Sequence, residues 1–107
     1  MLSRAERSET RYYIIVLVEA LIALVYHVAR SLYGLEPRTP IQTLRLLADR
    51  GLVAPGELED LVKLVRLRNL LVHRYWVVDD SIVYESVRRD FTSLRRFIER
   101  VRSVVGA

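Results

Sequence analysis

The feature that most constrains this fold is an apolar seam in the C-terminal third of the chain. Tyr84, Val87, Phe91, Leu94, Ile98, Val101 and Val105 recur at alternating steps of three and four. That spacing keeps one stripe of an α-helix turned toward its neighbours in a left-handed bundle. The helix is expected to begin at Asp80 or Ser81, either of which can cap its first turn.

Three more helices precede it. Thr39, Pro40 and Gln42 form a helix start with a capping box, the apolar residues Ile41, Leu44, Leu47 and Ala48 follow at helical spacing, and Gly51 ends the element. The Ala54-Pro55-Gly56 turn opens a third helix. Glu57, Glu59 and Asp60 suit the positive end of its dipole, and its apolar positions run through Leu61, Leu64, Val65, Leu67, Leu71 and Val72. The first helix is expected over Ser8 to Leu32, with Gly34 as its left-handed stop. Short turns between four helices imply an antiparallel up-and-down four-helix bundle, all-α, and 107 residues fit one domain covering residues 1–107.

The first helix raises the question of a membrane, because Tyr12 to Ala29 is almost wholly apolar. An 18-residue run is at the lower limit for crossing roughly 30 Å of hydrocarbon, and Glu19 near its middle would cost about 2.5 kcal/mol or more. No small-x-small cleavage site follows it, which argues against a signal peptide. The expectation is a helix with one face in the bundle and another against a second subunit, without a membrane partner. His27, on the same helix, reads as a structural histidine.

Cysteine is absent, which excludes a disulfide scaffold and thiolate metal sites and fits a cytoplasmic location. No Gly-rich phosphate loop, Cys/His cluster or paired-carboxylate spacing occurs. Of seventeen basic residues sixteen are arginine, against thirteen acidic residues. Arginine's planar fork suits phosphate, so the bias fits nucleic acid, but it equally fits a heat-adapted surface or base composition. The second and third helices superficially resemble a helix-turn-helix. The third is too acidic at its start and too apolar beyond it to enter a major groove.

Chemistry concentrates in the segment from Val65 to Trp76. Asn69 and His73 are four apart and share a helical face, whereas Arg68 and Tyr75, seven apart, nearly superpose on a neighbouring stripe. Arg68 and His73 differ by about 140°, so only the long arginine side chain or a loosened last turn brings both to one phosphate. A histidine near its free pKa of about 6.5 can take the proton from a ribose 2′-hydroxyl, and an arginine can neutralise charge growing on phosphate. Asn69 can fix the imidazole tautomer, and Tyr75 can reach a phosphate or stack on a base. A structural reading fits the same residues: Arg68 paired with a carboxylate of the fourth helix, His73 at the helix dipole, Tyr75 and Trp76 closing the core.

At these residues the chain resembles the HEPN superfamily, and within it the HepT-type toxin of HEPN/MNT toxin-antitoxin pairs. The family motif is an arginine, four to six residues, a histidine, one residue and a tyrosine, here Arg68, His73 and Tyr75. Asn69 directly after the arginine matches the family's usual choice. The resemblance extends to the acid-containing first helix, the proline-led second helix, the Gly51-Leu52-Val53 turn and the final helix.

The resemblance implies a metal-independent endoribonuclease without a cofactor, acting as a homodimer with Arg68 and His73 of both chains facing one cleft. Asn69 joins them as a catalytic-site residue, with Glu19, Arg66 and Arg74 as supporting residues of the cleft. It also implies a minimal nucleotidyltransferase antitoxin as partner, transferring AMP to Tyr75 and so placing charge and bulk where RNA phosphate would bind. The alternative is a noncatalytic helper subunit that binds substrate for a nucleotidyltransferase.

Overall fold

The computed structural model describes residues 4–105, with side chains from Ser8 onward other than that of Tyr75. The elements are α1 (Arg4–Tyr33), α2 (Pro40–Asp49), α3 (Pro55–His73), a 3-10 turn (Tyr75–Val77), α4 (Asp80–Glu85), a π-helical segment (Ser86–Asp90) and α5 (Phe91–Val105). The last three form one continuous rod, so the chain is an all-α protein of four helical rods. α3 is central, packing on α1, on α2 and on the C-terminal rod.

The helix boundaries follow from local chemistry. Thr39 Oγ1 accepts from the Gln42 N–H at 3.2 Å, and Gln42 Oε1 accepts from the Thr39 N–H at 3.3 Å, completing the expected capping box. α1 ends at Gly34 with φ +62°; the Gly34 and Leu35 N–H groups donate back to Arg30 and Ala29 at 3.0 Å each. Two starts differ from expectation. α1 begins at Arg4 rather than Ser8, and the cap of α4 is Asp79, whose Oδ1 accepts from the Ile82 N–H at 3.1 Å.

α1 contributes Ile14, Val18, Leu21, Val25, Val28 and Ala29 to a core shared with Leu44 and Leu47 of α2, Leu61, Leu64 and Val65 of α3, and Phe97 of α5. By length and hydropathy the stretch Ser8–Tyr33 could cross a membrane, yet one face of it is the core of this bundle. Its other face, with Tyr12, Tyr13, Val16 and Leu17, is bare. His27 is exposed on α1 rather than held structurally.

The C-terminal seam is corrected in detail. Leu94 and Val101 are buried, but Tyr84, Val87, Ile98 and Val105 are 37–58% exposed, and the buried stripe runs instead through Val83, Ser86, Asp90, Ser93, Phe97 and Val101. Two causes combine. The π-helical turn inserts residues that shift the helical face. In addition, the buried stripe carries polar residues that find partners: Ser93 Oγ donates to Asp60 Oδ2 of α3 at 2.6 Å. A hydrophobic pattern cannot register them.

Candidate active site at the end of α3

The motif segment lies where α3 runs out. Arg68 is one turn from the end on the side facing α1, and its guanidinium is held by two acceptors. One terminal nitrogen donates to Asn69 Oδ1 at 2.9 Å, and the other pairs with Glu19 of α1 at 3.5 Å. The Arg68 Nε is buried and has no hydrogen-bond partner among the described residues. The Arg68 side chain is 27% exposed and that of Glu19 52%, so solvent screens the pair and its contribution to stability is about 1 kcal/mol or less. Its consequence is geometric: the guanidinium is oriented while several of its five N–H donors remain open.

The carboxylate facing Arg68 therefore belongs to the first helix and not to the fourth. This gives Glu19 a place beside the motif. Asn69 turns its amide oxygen to the neighbouring arginine rather than to His73.

His73 is the last helical residue, exposed, with basic residues around it. It lines a shallow depression of about 420 Å³ with Arg66, Asn69, Leu70 and Arg74. Arg66 enters this depression because it stands seven residues before His73 and leaves the helix on nearly the same bearing. Arg68 is not on its wall; the helical offset of about 140° separates the Arg68–Glu19 pair from the imidazole within one chain.

The helix on which Arg68 and Tyr75 would share a bearing ends before Tyr75. Arg74 leaves the helix at φ −145° and ψ 49°, its N–H still donating to the Leu70 carbonyl at 2.7 Å, and a 3-10 turn begins at Tyr75. Helical spacing thus stops applying at residue 74. The Tyr75 side chain itself lies outside the described residues. After the turn, Arg11 of α1 fixes the chain by donating to the Val78 carbonyl at 2.7 Å and pairing with Asp80 at 3.2 Å. Trp76, 68% exposed, closes no core.

Among the described residues no group of three or more His, Cys, Asp or Glu side chains could hold a metal ion. The arrangement offers an exposed imidazole, an oriented guanidinium with free donors, and further arginines nearby. Such a set can bind a phosphodiester and move a proton beside it.

Residues 2–101 match the family described as Ribonuclease HepT-like. A protein of Archaeoglobus fulgidus named "Putative RNase" is 39% identical over 62 residues, which are 58% of this chain and 47% of that one. The chain thus spans about half the length of the curated relative it matches. A solved structure described as a toxin-antitoxin with AMP-PNP superposes with a TM-score of 0.85 at 23% identity, covering 94% of this chain and 76% of the other. That likeness establishes the fold.

Proposed function

This chain belongs to the HepT-like ribonuclease family of the HEPN superfamily, and from that premise we propose that it is the endoribonuclease toxin of a toxin-antitoxin pair, cleaving RNA without a metal in a cleft between two copies of itself. The observation that carries this reading is the exposed His73 at the end of α3 together with the Arg68 guanidinium that Asn69 and Glu19 orient.

In the proposed reaction His73 takes the proton of a ribose 2′-hydroxyl. The 2′-oxygen attacks the adjacent phosphorus, and the bond from phosphorus to the 5′-oxygen breaks. Arg68 stabilises the charge that accumulates on the equatorial oxygens. The departing 5′-oxygen needs a proton, and His73 is the one imidazole each chain brings to this site. The partner subunit's His73 would supply it, leaving a 2′,3′-cyclic phosphate and a 5′-hydroxyl.

Two features support a paired site. Arg68 and His73 diverge on α3, so a second copy brings an arginine to a histidine that its own chain keeps apart. The bare face of α1, with Tyr12 at 62%, Tyr13 at 58%, Val16 at 44% and Leu17 at 48% exposure, offers the apolar area that a two-fold contact buries.

The partner in this reading is a minimal nucleotidyltransferase antitoxin that transfers AMP to Tyr75, two residues beyond His73. An adenylate there adds a negative phosphate two residues from His73 in the chain and repels RNA. The test is the intact mass of the chain co-expressed with the neighbouring gene product. An increase by one or more AMP units, absent in Tyr75→Phe, is expected. An unmodified chain held in a stable complex would replace covalent modification with inhibition by contact.

A further inference from the structure

The His73 depression is one of three that adjoin along α3. Arg66 lines all three, and Lys63 lines the two beyond His73. The largest neighbour, about 370 Å³, lies between α3 and the α4–π rod, with Lys63 and Arg66 on one wall and Arg89 on the other. The remaining depression turns toward α2 and Arg45. Together they form a path that runs up α3 and reaches the imidazole at its end.

The cations on this path are open to solvent. Arg45, Lys63, Arg66 and Arg89 are exposed, and none has an ion-pair partner among the described residues. Three other arginines are engaged, Arg11 with Asp80, Arg68 with Glu19 and Arg100 with Glu57, whereas Arg30, Arg95 and Arg102 are exposed and likewise without an ion-pair partner among the described residues; what sets the path apart is its alignment toward His73. Glu59, Glu85 and the buried Asp90 also line the path; none closes an ion pair with these cations, although burial raises the Asp90 carboxyl and the charges of Lys63 and Arg89 act against that rise. A row of exposed cations leading to a proton-transfer group fits a polyanion on which that group acts.

The lining also says which part of the polyanion it holds. Among the described residues no Phe, Tyr or Trp side chain faces the three depressions; the apolar contributors include Leu67, Leu70 and Ile82. The cationic lining therefore favours contacts to phosphate over a platform of large aromatic rings for bases. We propose that Lys63, Arg66 and Arg89 form a track for the sugar–phosphate backbone of single-stranded RNA, laying the strand along α3 so that its next phosphates meet His73. This inference rests on the ribonuclease reading and extends it to residues outside the motif.

Binding of a fluorescent single-stranded oligoribonucleotide to the His73→Ala chain, titrated at several salt concentrations, tests the track. Adding Lys63→Gln, Arg66→Gln and Arg89→Gln is expected to weaken binding about tenfold or more and to reduce the slope of log K against log salt by up to about 2, at roughly 0.7 per phosphate contact. A control replacing Arg30, Arg95 and Arg102, exposed and outside the three depressions, carries the same net charge.

Equal weakening in the control, or an unchanged affinity and slope in the track variant, overturns the proposal, provided circular dichroism shows both folded. Cleavage by the chain with His73 intact, measured in parallel, separates this outcome from failure of the ribonuclease reading. Cleavage with an unaffected track variant rejects the track alone. Tight, track-dependent binding without cleavage keeps the track and rejects the nuclease. Absence of both binding and cleavage rejects both.

Discussion

Arg100 and Glu57 clamp the C-terminal rod to the turn that starts α3. Ala54 precedes this helix with no side-chain acceptor, so Glu57 Oε1 reaches back to the Ala54 N–H at 3.3 Å. Arg100 of α5 then grips both carboxylate oxygens, one at 2.7 Å, and donates to the Leu52 carbonyl at 3.1 Å. Glu57 is 5% exposed, and the Arg100 hydrogen bonds hold its carboxyl below the ordinary glutamate range against the opposing effect of burial.

Arg100→Ala should therefore cost about 1–3 kcal/mol at neutral pH by leaving that carboxylate short of donors. A group whose folded pKa is lowered stabilises the fold above its unfolded pKa and stops doing so as pH falls through the folded value. The gap between wild type and variant in denaturant melts should be full at pH 7 and close progressively below the ordinary glutamate range. A pH-independent gap would show that packing of the arginine stem sets the cost. This pair is not legible in the sequence, since its members are 43 positions apart. The one hint is a glutamate three residues after a position that cannot cap. Glu19 pairs with Arg68, and Arg66 shares the depression of His73.

At the scale of elements, helices whose limits depend on neighbouring residues are readable. The Thr39 box, the Gly34 and Gly51 stops and the cores of α2 and α3 all have local causes. The C-terminal rod is harder, because its buried polar residues find partners that spacing does not reveal, Ser93 in Asp60 of α3 and Ser86 in Asp90 of the same rod. Phe97, fully buried, lies one position away from the apolar seam that the spacing singles out. Tyr75 falls beyond the residue where α3 ends, so helical spacing cannot place it.

The bare face of α1 bears on assembly. Leu17, 48% exposed, faces away from the core, so Leu17→Glu should leave helicity and melting nearly unchanged while driving the chain to a monomer in sedimentation. In a dimer that buries this face, a charge at that position stays unpaired. A variant that remains dimeric would move the contact to another surface, for which the exposed Tyr84, Val87 and Ile98 of the C-terminal rod are the alternative.

For the molecule as a whole, the fold and the family rest on agreement between helix pattern, motif and match along nearly the full chain. A bundle of 107 residues leaves little interior in which to wall a deep cleft, in keeping with a candidate site at a helix end and a proposed path on the surface. Pairing would turn that surface into an enclosed site. The divergence of Arg68 and His73 on α3, which motivates the proposed composite cleft, is a feature of helical geometry that the five-residue spacing alone makes legible.

The most direct test is cleavage of single-stranded RNA by the purified chain in excess EDTA, with the ends of the products identified and His73→Ala run beside it. Cleavage is expected to survive chelation, to yield 2′,3′-cyclic phosphate ends, and to fall by at least about 100-fold in the variant, as befits loss of a general acid–base group. Cleavage unchanged in His73→Ala, or none by a folded, dimeric and unmodified wild-type chain, would contradict the assignment of His73 as the proton-transfer group of a metal-independent ribonuclease.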